Sequence, residues 1–177
     1  HIHLNCQELT ARQLFTFMAA YYVLEDCLTA QFGEERNGNM FCLRVADAQY
    51  LNQAIGKAID DRLEKATFQT DAMRYAALNL TALPKYGSLE FRAMQTTTTA
   101  EPVKSWIKLL STLLNNSKKF QSPTEVLSYF SDQGEETAVK FLLGEHRTVV
   151  TAQEDYKKKL STNIRLIQFW VFTNDWS

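Results

Sequence analysis

The sequence contains few residues that interrupt regular secondary structure. Of its 177 residues, six are glycine and three are proline, which is about 5% of the chain, whereas an average soluble protein has about 12%. We therefore expect long uninterrupted elements, mostly helices. The hydrophobic share of 45% and the charged share of 22% are close to the globular average and exclude a disordered, collagen-like or low-complexity chain.

The chain also lacks an excess of either charge, long apolar runs and clustered cysteines. Its 19 basic and 20 acidic residues give a net charge of −1, so bulk charge favours neither a nucleic-acid nor a membrane-surface partner. No run of about 18 residues is free of polar groups, which argues against a transmembrane helix. Cys6, Cys27 and Cys42 are too scattered for a disulfide framework. We interpret them as reduced thiols and expect a cytoplasmic protein.

Nucleotide-binding and hydrolase motifs of the common kinds are absent as well. The sequence contains no GxxxxGK[ST], GxGxxG or GxSxG pattern. Walker-type nucleotide binding, a Rossmann cofactor and α/β-hydrolase chemistry are therefore unsupported. Any chemistry has to come from other residues.

Hydrophobic spacing predicts strands that frame long helices, hence the α+β class. Residues 1–5 alternate as a strand that places His1 and His3 on one face. Thr10 is positioned to cap a helix that runs to about Gln31. Further helices are expected from about Asp47, with Leu63 as an inward residue; from Pro102, with Trp106 and Ile107 in its buried stripe; as two short segments after Ser122; and from about Val150 to Phe172.

Glu90 and Arg92 are the strongest local signal for a functional site. They alternate with Leu89 and Phe91 after a Pro–Gly turn, so the two charged side chains share one strand face and the two apolar ones anchor the other. A carboxylate is a ligand that Mg²⁺ prefers, and a guanidinium fork matches phosphate or carboxylate. The alternative is a cross-strand surface ion pair.

Other candidates are weaker when each is taken alone. His1 and His3 could bind a metal or touch phosphate, or form an exposed sheet edge. Arg36 could clamp a phosphate from its loop, or be merely solvated. Arg74 and Asn79 flank an apolar run, where a surface charge and a turn amide are the preferred explanations when each residue is taken alone.

These pieces follow one another in order over roughly residues 1–120. The order is a His1-Ile2-His3 strand, a long helix, Arg36 with Asn39 and Cys42, an Arg74-Tyr75…Leu78-Asn79-Leu80 segment, and a Gly87-Ser88-Leu89-Glu90-Phe91-Arg92 strand. The set resembles the amidoligase family, which belongs to the carboxylate–amine ligase superfamily with glutamine synthetase and glutamate–cysteine ligase.

The resemblance implies a fold, a reaction and roles for the residues. The fold would be a glutamine-synthetase-like curved antiparallel sheet flanked by helices. The activity would use ATP and Mg²⁺ to make an acyl phosphate, which an amine converts into an amide. Glu90 would be catalytic and a metal ligand with His3, and Arg92 would contact phosphate or the substrate carboxylate. The cofactor-binding residues would be His1, His3, Arg36, Arg74 and Asn79.

The resemblance also suggests how the chain is divided. Residues 1–120 would be the C-terminal part of the catalytic domain, and 121–177 a helical extension. The family carries a strand with paired acidic residues ahead of its HxH strand, so we expect further residues upstream. Partners would be acid and amine substrates, small or peptidic, and an N-terminal remainder of the protein or a second copy of the chain.

Two rival hypotheses remain open. Ala93-Met94-Gln95 replaces the residues that usually follow the family's EFR strand, which favours a binding or assembly module without turnover. A metal-dependent hydrolase using His1, His3 and Glu90 is a third hypothesis, but it leaves the arginines unexplained.

Overall fold

The computed structural model of the protein describes residues 1–36, 38–60 and 71–176. The strands are β1 (Ile2–Asn5), β2 (Leu78–Asn79) and β3 (Ser88–Phe91). The helices are α1 (Ala11–Ala30), α2 (Gln49–Asp60), α3 (Leu83–Tyr86), α4 (Ala100–Ser117), α5 (Pro123–Gln133), α6 (Glu135–Leu143), α7 (Thr148–Thr151) and α8 (Tyr156–Thr173). Short 3₁₀ turns lie at Glu34–Arg36, Asp71–Tyr75, Leu80–Ala82 and Gly144–Arg147.

The three strands form one small antiparallel sheet in the order β1-β3-β2. His3 of β1 and Asn79 of β2 both stand opposite Glu90 of β3. Because residues directly opposite one another in a sheet point to the same face, the register brings three polar side chains into one row. The mixed helix–strand content fits the expected α+β class.

The other face of the sheet packs on α1. Leu89 and Phe91 are fully buried, which confirms that they anchor β3 in the core. The Phe91 ring lies 5.2 Å from the Tyr21 ring and 6.2 Å from the Phe17 ring, centroid to centroid. These contacts fix the orientation of β3 and therefore of the polar residues on its opposite face.

Helix α1 is the central element of the core. Thr10 Oγ1 accepts from Gln13 N and Gln13 Oε1 accepts from Thr10 N, which is the expected capping box. Residues 14–29 are all buried, because β3 packs on one side of α1 through Phe91 and α4, α5 and α8 pack on its other sides. A helix enclosed in this way needs apolar residues around its whole circumference.

Two helices differ from their predictions, and one predicted core residue is not described by the structure. Ile107 is 43% exposed while Leu109 is buried, so placing Ile107 in the buried stripe of α4 was wrong. The last predicted helix is two helices, α7 and α8, separated at residues 152–155. Leu63 lies outside the described residues.

The larger hydrophobic core contains residues from Cys6 in the first segment to Val171 in α8. The helices after residue 120 therefore share their core with α1. The division at residue 120 stays a prediction about the family domain. None of the helices described is long and apolar enough to cross a bilayer.

Candidate functional site

Glu90 is the centre of a hydrogen-bonded group on the polar face of the sheet. Its Oε1 lies 2.6 Å from His1 Nδ1 and 3.0 Å from Arg92 Nη1, and its Oε2 accepts from Asn79 Nδ2 at 2.6 Å. We call Glu90, His1, Arg92 and Asn79 the Glu90 cluster. Only 10% of the Glu90 side chain is exposed, and a buried carboxylate needs donors of this kind. The contact confirms that Glu90 and Arg92 point to the same side of the sheet.

Asn79 holds its place through the backbone that follows β2. Its Oδ1 accepts from Thr81 N at 2.9 Å and from Thr81 Oγ1 at 2.8 Å. The amide group is thereby oriented so that Nδ2 faces Glu90. Asn79 is thus a turn amide and a neighbour of Glu90 at once.

A cleft of about 460 Å³ opens beside the Glu90 cluster. Its lining residues are His1, Ile2, Arg36, Phe41, Arg92, Met94, Gln95, Thr96, Thr97 and Val103. Arg92 Nε donates to the Phe41 carbonyl at 3.3 Å, and Arg36 Nη2 donates to the Met94 carbonyl at 3.1 Å. The structure therefore brings His1, Arg36 and Arg92 to one cavity, although 56 residues separate the two arginines along the chain.

The cleft is suited to an anion. Two guanidinium groups and an imidazole line it, and the carboxylate of Glu90 is the acid that pairs with two of these groups. Arg36 Nε is enclosed, with no hydrogen-bond partner among the described residues. A buried donor without an acceptor is unfavourable, and guanidinium groups in general pair well with phosphate and carboxylate oxygens.

The cleft offers fewer groups that could bind a divalent metal than groups that could bind an anion. No group of three or more His, Cys, Asp and Glu side chains that could hold a metal ion occurs among the described residues. Both oxygens of Glu90 already accept hydrogen bonds. Mg²⁺ is commonly held by one or two carboxylates together with phosphates and water. Glu90 fits that role if the ion replaces His1 as the partner of Oε1.

His3 faces a second cleft. Its Nδ1 lies 3.0 Å from Ser88 Oγ, and it lines a cavity of about 490 Å³ together with Asn5, Tyr86 and Ser88. The metal site that the resemblance implies would require His3 to share a cavity with Glu90 and Arg92. It stands opposite Glu90 in the sheet register, but Arg92 lines the first cleft and His3 the second.

Arg74 is not brought to either cleft. It is exposed, and its guanidinium carbon lies 5.9 Å from the ring centroid of Tyr75. Cys42 is fully buried, and burial raises the pKa of its thiol to about 11. A thiol of this kind is inert, so Cys42 is a packing residue.

The sequence analysis missed part of the cleft wall and a second charged group. Phe41, Met94 and Gln95 line the cleft, and their position directly beside the recognised motifs was the one available signal. Glu25 and Asp26 of α1 form a mostly buried charged network with Arg44 and Asp47 of the loop ahead of α2. An acidic pair inside an apolar helix was its signal.

Comparison with known proteins identifies the same family as the order of the sequence motifs. The family model described as "Putative amidoligase enzyme" matches residues 1–114. Neither the curated protein sequences nor the solved structures contain a significant match. The matched range includes the whole Glu90 cluster and every residue that lines the two clefts. Because it also covers more than half of the chain, the chain belongs to the amidoligase family.

Proposed function

We propose that this protein is an ATP- and Mg²⁺-dependent carboxylate–amine ligase that forms an amide through an acyl phosphate. The observation that carries the proposal is the cleft of about 460 Å³ lined by the guanidinium groups of Arg36 and Arg92 and the imidazole of His1. Family membership supplies the reaction class, and the cationic cleft supplies a place for the anions that such a reaction brings together.

The chemistry explains why arginines would be needed. A carboxylate is a poor acylating agent, so ATP would supply the phosphoryl group that activates it. Arg36 and Arg92 would bind the oxygens of the phosphate and of the substrate acid, because preorganised donors stabilise charge that develops during transfer. The planar fork of Arg92 already makes one bond to Phe41 O and one to Glu90, so its orientation is set before any ligand binds.

Glu90 would have two tasks in this proposal. It aligns Arg92 and His1 through Oε1, and it offers a carboxylate oxygen to Mg²⁺. Asn79 would hold Glu90 through Oε2. His3 as a second metal ligand, and Arg74 as a phosphate clamp, stay predictions. We further propose that the three-stranded sheet belongs to a glutamine-synthetase-like curved sheet.

The test is an assay of full-length protein with Mg²⁺–ATP over a panel of carboxylic acids and amines. Hydroxylamine is added in a parallel series, because it reacts with acyl phosphates to give hydroxamates. We expect ADP release that requires the acid, and hydroxamate formation with the same acids. Arg36→Lys should weaken both, whereas Arg147→Lys, at an exposed position far along the chain, should not. Absence of both products across the panel would contradict the proposal.

The alternative is a binding module without turnover. The observation in its favour is that both oxygens of Glu90 are already satisfied by protein donors. A module of this kind would bind the anion in the cleft and release no ADP. Thermal stabilisation by Mg²⁺–ATP without product would therefore identify it.

A further inference from the structure

Two exposed aromatic side chains stand together at the edge of the first cleft. Phe41 is 55% exposed and Tyr75 is 37% exposed. Their ring centroids are 5.7 Å apart, with the rings nearly perpendicular at 68°. We call this pair the aromatic rim. Single exposed aromatics are ordinary, but a contacting pair beside a cleft is typical of a binding surface.

Backbone hydrogen bonds build the rim. Leu43 N donates to the Tyr75 carbonyl at 2.9 Å, and Ala77 N donates to the Leu43 carbonyl at 2.7 Å, so two segments about 32 residues apart run side by side as a parallel bridge. Phe41 N donates to Asn39 Oδ1 at 2.9 Å. The backbone positions of Phe41 and Tyr75, from which the two rings project, are therefore held by hydrogen bonds of the main chain.

The rim is continuous with the cationic cleft. Phe41 lines the cleft, and its carbonyl accepts from Arg92 Nε. On the other side, the Arg74 guanidinium lies over the Tyr75 ring. A ligand that extends from Arg36 and Arg92 across Phe41 would thus meet anion-binding groups first and aromatic faces next.

We propose that the aromatic rim stacks the nucleobase of a nucleoside triphosphate whose phosphates lie between Arg36 and Arg92. This inference rests on the proposed function and adds the position of the base. A nucleotide joins a multiply charged anion to a flat uncharged ring, and the surface offers the complementary groups in the same order. Bases stack on aromatic side chains with little dependence on their identity, which suits a rim without a purpose-built polar pocket.

The experiment compares two ligands that differ only in the nucleoside. Binding of ATP and of inorganic tripolyphosphate, both with Mg²⁺, is measured by calorimetry for the full-length wild type and for Phe41→Ala, Phe41→Leu and Tyr75→Ala. We expect each variant to bind ATP about tenfold more weakly, in line with the loss of one stacking contact, and to bind tripolyphosphate as the wild type does. Phe41→Leu keeps an apolar side chain, so it separates stacking from apolar contact.

Phe172→Ala is the matched control. Phe172 is similarly exposed, at 56%, but it lies in α8 and lines neither cleft. Its loss should leave the affinity for ATP unchanged. Folding is checked by melting temperature, and exposed rings can be removed at little cost to stability.

Each other outcome has one meaning. Unchanged ATP affinity in the Phe41 and Tyr75 variants would overturn the inference, and so would an equal loss for ATP and tripolyphosphate. An unchanged ATP affinity with a raised KM for the acid would instead assign the rim to the acid substrate. If the wild type binds neither ligand, the proposed ligase function fails as well. If the wild type binds ATP and the rim variants bind it equally well, only the inference about the base fails.

Discussion

Glu90 and Glu25 are two buried carboxylates in opposite surroundings. Glu90 accepts from His1, Arg92 and Asn79 at the wall of an open cleft. Glu25 lies fully buried in α1, where its Oε2 accepts from Val45 N at 2.7 Å. Donors gather around Glu90, whereas Glu25 has acids for neighbours, and this difference separates a group suited to binding from one suited to holding the fold.

The network around Glu25 has one guanidinium for three carboxyl groups. Arg44 makes two bonds to Asp47, at 2.6 and 2.9 Å, and an ion pair with Asp26 Oδ1 at 3.3 Å. Burial raises the pKa of Glu25 well above its ordinary range, and burial also raises the pKa of Asp26. For Asp47 desolvation acts in the same direction, but the hydrogen bonds from Arg44 outweigh it and lower its pKa.

These contacts tie the loop before α2 to the core helix. The loop supplies Arg44, Val45 and Asp47, and α1 supplies Glu25 and Asp26. The same loop carries Phe41 at the cleft wall. The buried network therefore supports one side of the cleft without touching its contents.

The largest expected effect is on stability, from Arg44→Met. Removing one partner of a mostly buried ion pair leaves uncompensated charge, and such changes reduce the free energy of unfolding by about 3–5 kcal/mol. Urea unfolding monitored by circular dichroism gives the value. Arg147→Met, at an exposed position, is the control and should change stability by about 0.5 kcal/mol or less. A loss below about 1 kcal/mol for Arg44→Met would show that the network does not hold the loop.

The next effect is on activity, from Arg92→Lys. Lysine keeps the charge but loses the planar fork that contacts both Phe41 O and Glu90. In a ligase, kcat/KM should fall about 10²-fold, as for removal of one preorganised donor. The free energy of unfolding should fall by about 1 kcal/mol, the worth of one hydrogen bond. A variant with full activity but much reduced stability would place Arg92 with the structural group.

The sequence predicted the Glu90 cluster better than it predicted the buried network. Alternation along a strand has a period of two, so the faces of His1, His3, Glu90 and Arg92 followed from spacing alone. The partners did not follow, because they depend on strand register. Register places His3 opposite Glu90, yet the Glu90 carboxylate pairs with His1 and the His3 ring pairs with Ser88.

The buried network lay beyond pattern recognition for a different reason. Glu25 and Asp26 interrupt an apolar helix, and nothing in a helical period indicates which distant segment will approach them. Their partners come from an irregular loop about 20 residues further along the chain.

The error at Ile107 has another cause. The apolar stripe predicted for α4 is too wide, and the structure buries Leu109 instead of Ile107.

Glu25→Gln should change how stability depends on pH. Because burial raises the pKa of Glu25 in the folded state, the folded protein retains a proton that the unfolded chain loses above about pH 4.3. Stability is therefore lost as the pH rises from that value towards the folded-state pKa. Glutamine is neutral at every pH and still accepts from Val45 N. The melting temperature of the Glu25→Gln variant should therefore exceed that of the wild type at pH 8. The difference between the two melting temperatures should shrink towards pH 4.

The matched control for that pH series is Glu136→Gln, an exposed position in α6. Melting temperatures for the three proteins are recorded from pH 4 to pH 8. A constant difference between Glu25→Gln and the wild type across the series would mean that Glu25 is ionised in the folded protein, contrary to the effect of its burial.

The smallest effect on stability is expected from breaking an exposed ion pair whose N–O distance is as short as those beside the cleft. Lys104 Nζ lies 2.8 Å from Glu101 Oε1, closer than Arg92 lies to Glu90, but its two side chains are 62% and 79% exposed. Water solvates both charges whether or not they pair, so Lys104→Gln should reduce the free energy of unfolding by about 0.5 kcal/mol or less, and less still at high salt. Lys108→Gln, on the same helix, corrects for the change of residue type. If the loss approached that for Arg44→Met, distance rather than burial would determine the strength of these pairs, and burial would no longer explain why the Arg44 network is expected to matter more for stability than an exposed pair.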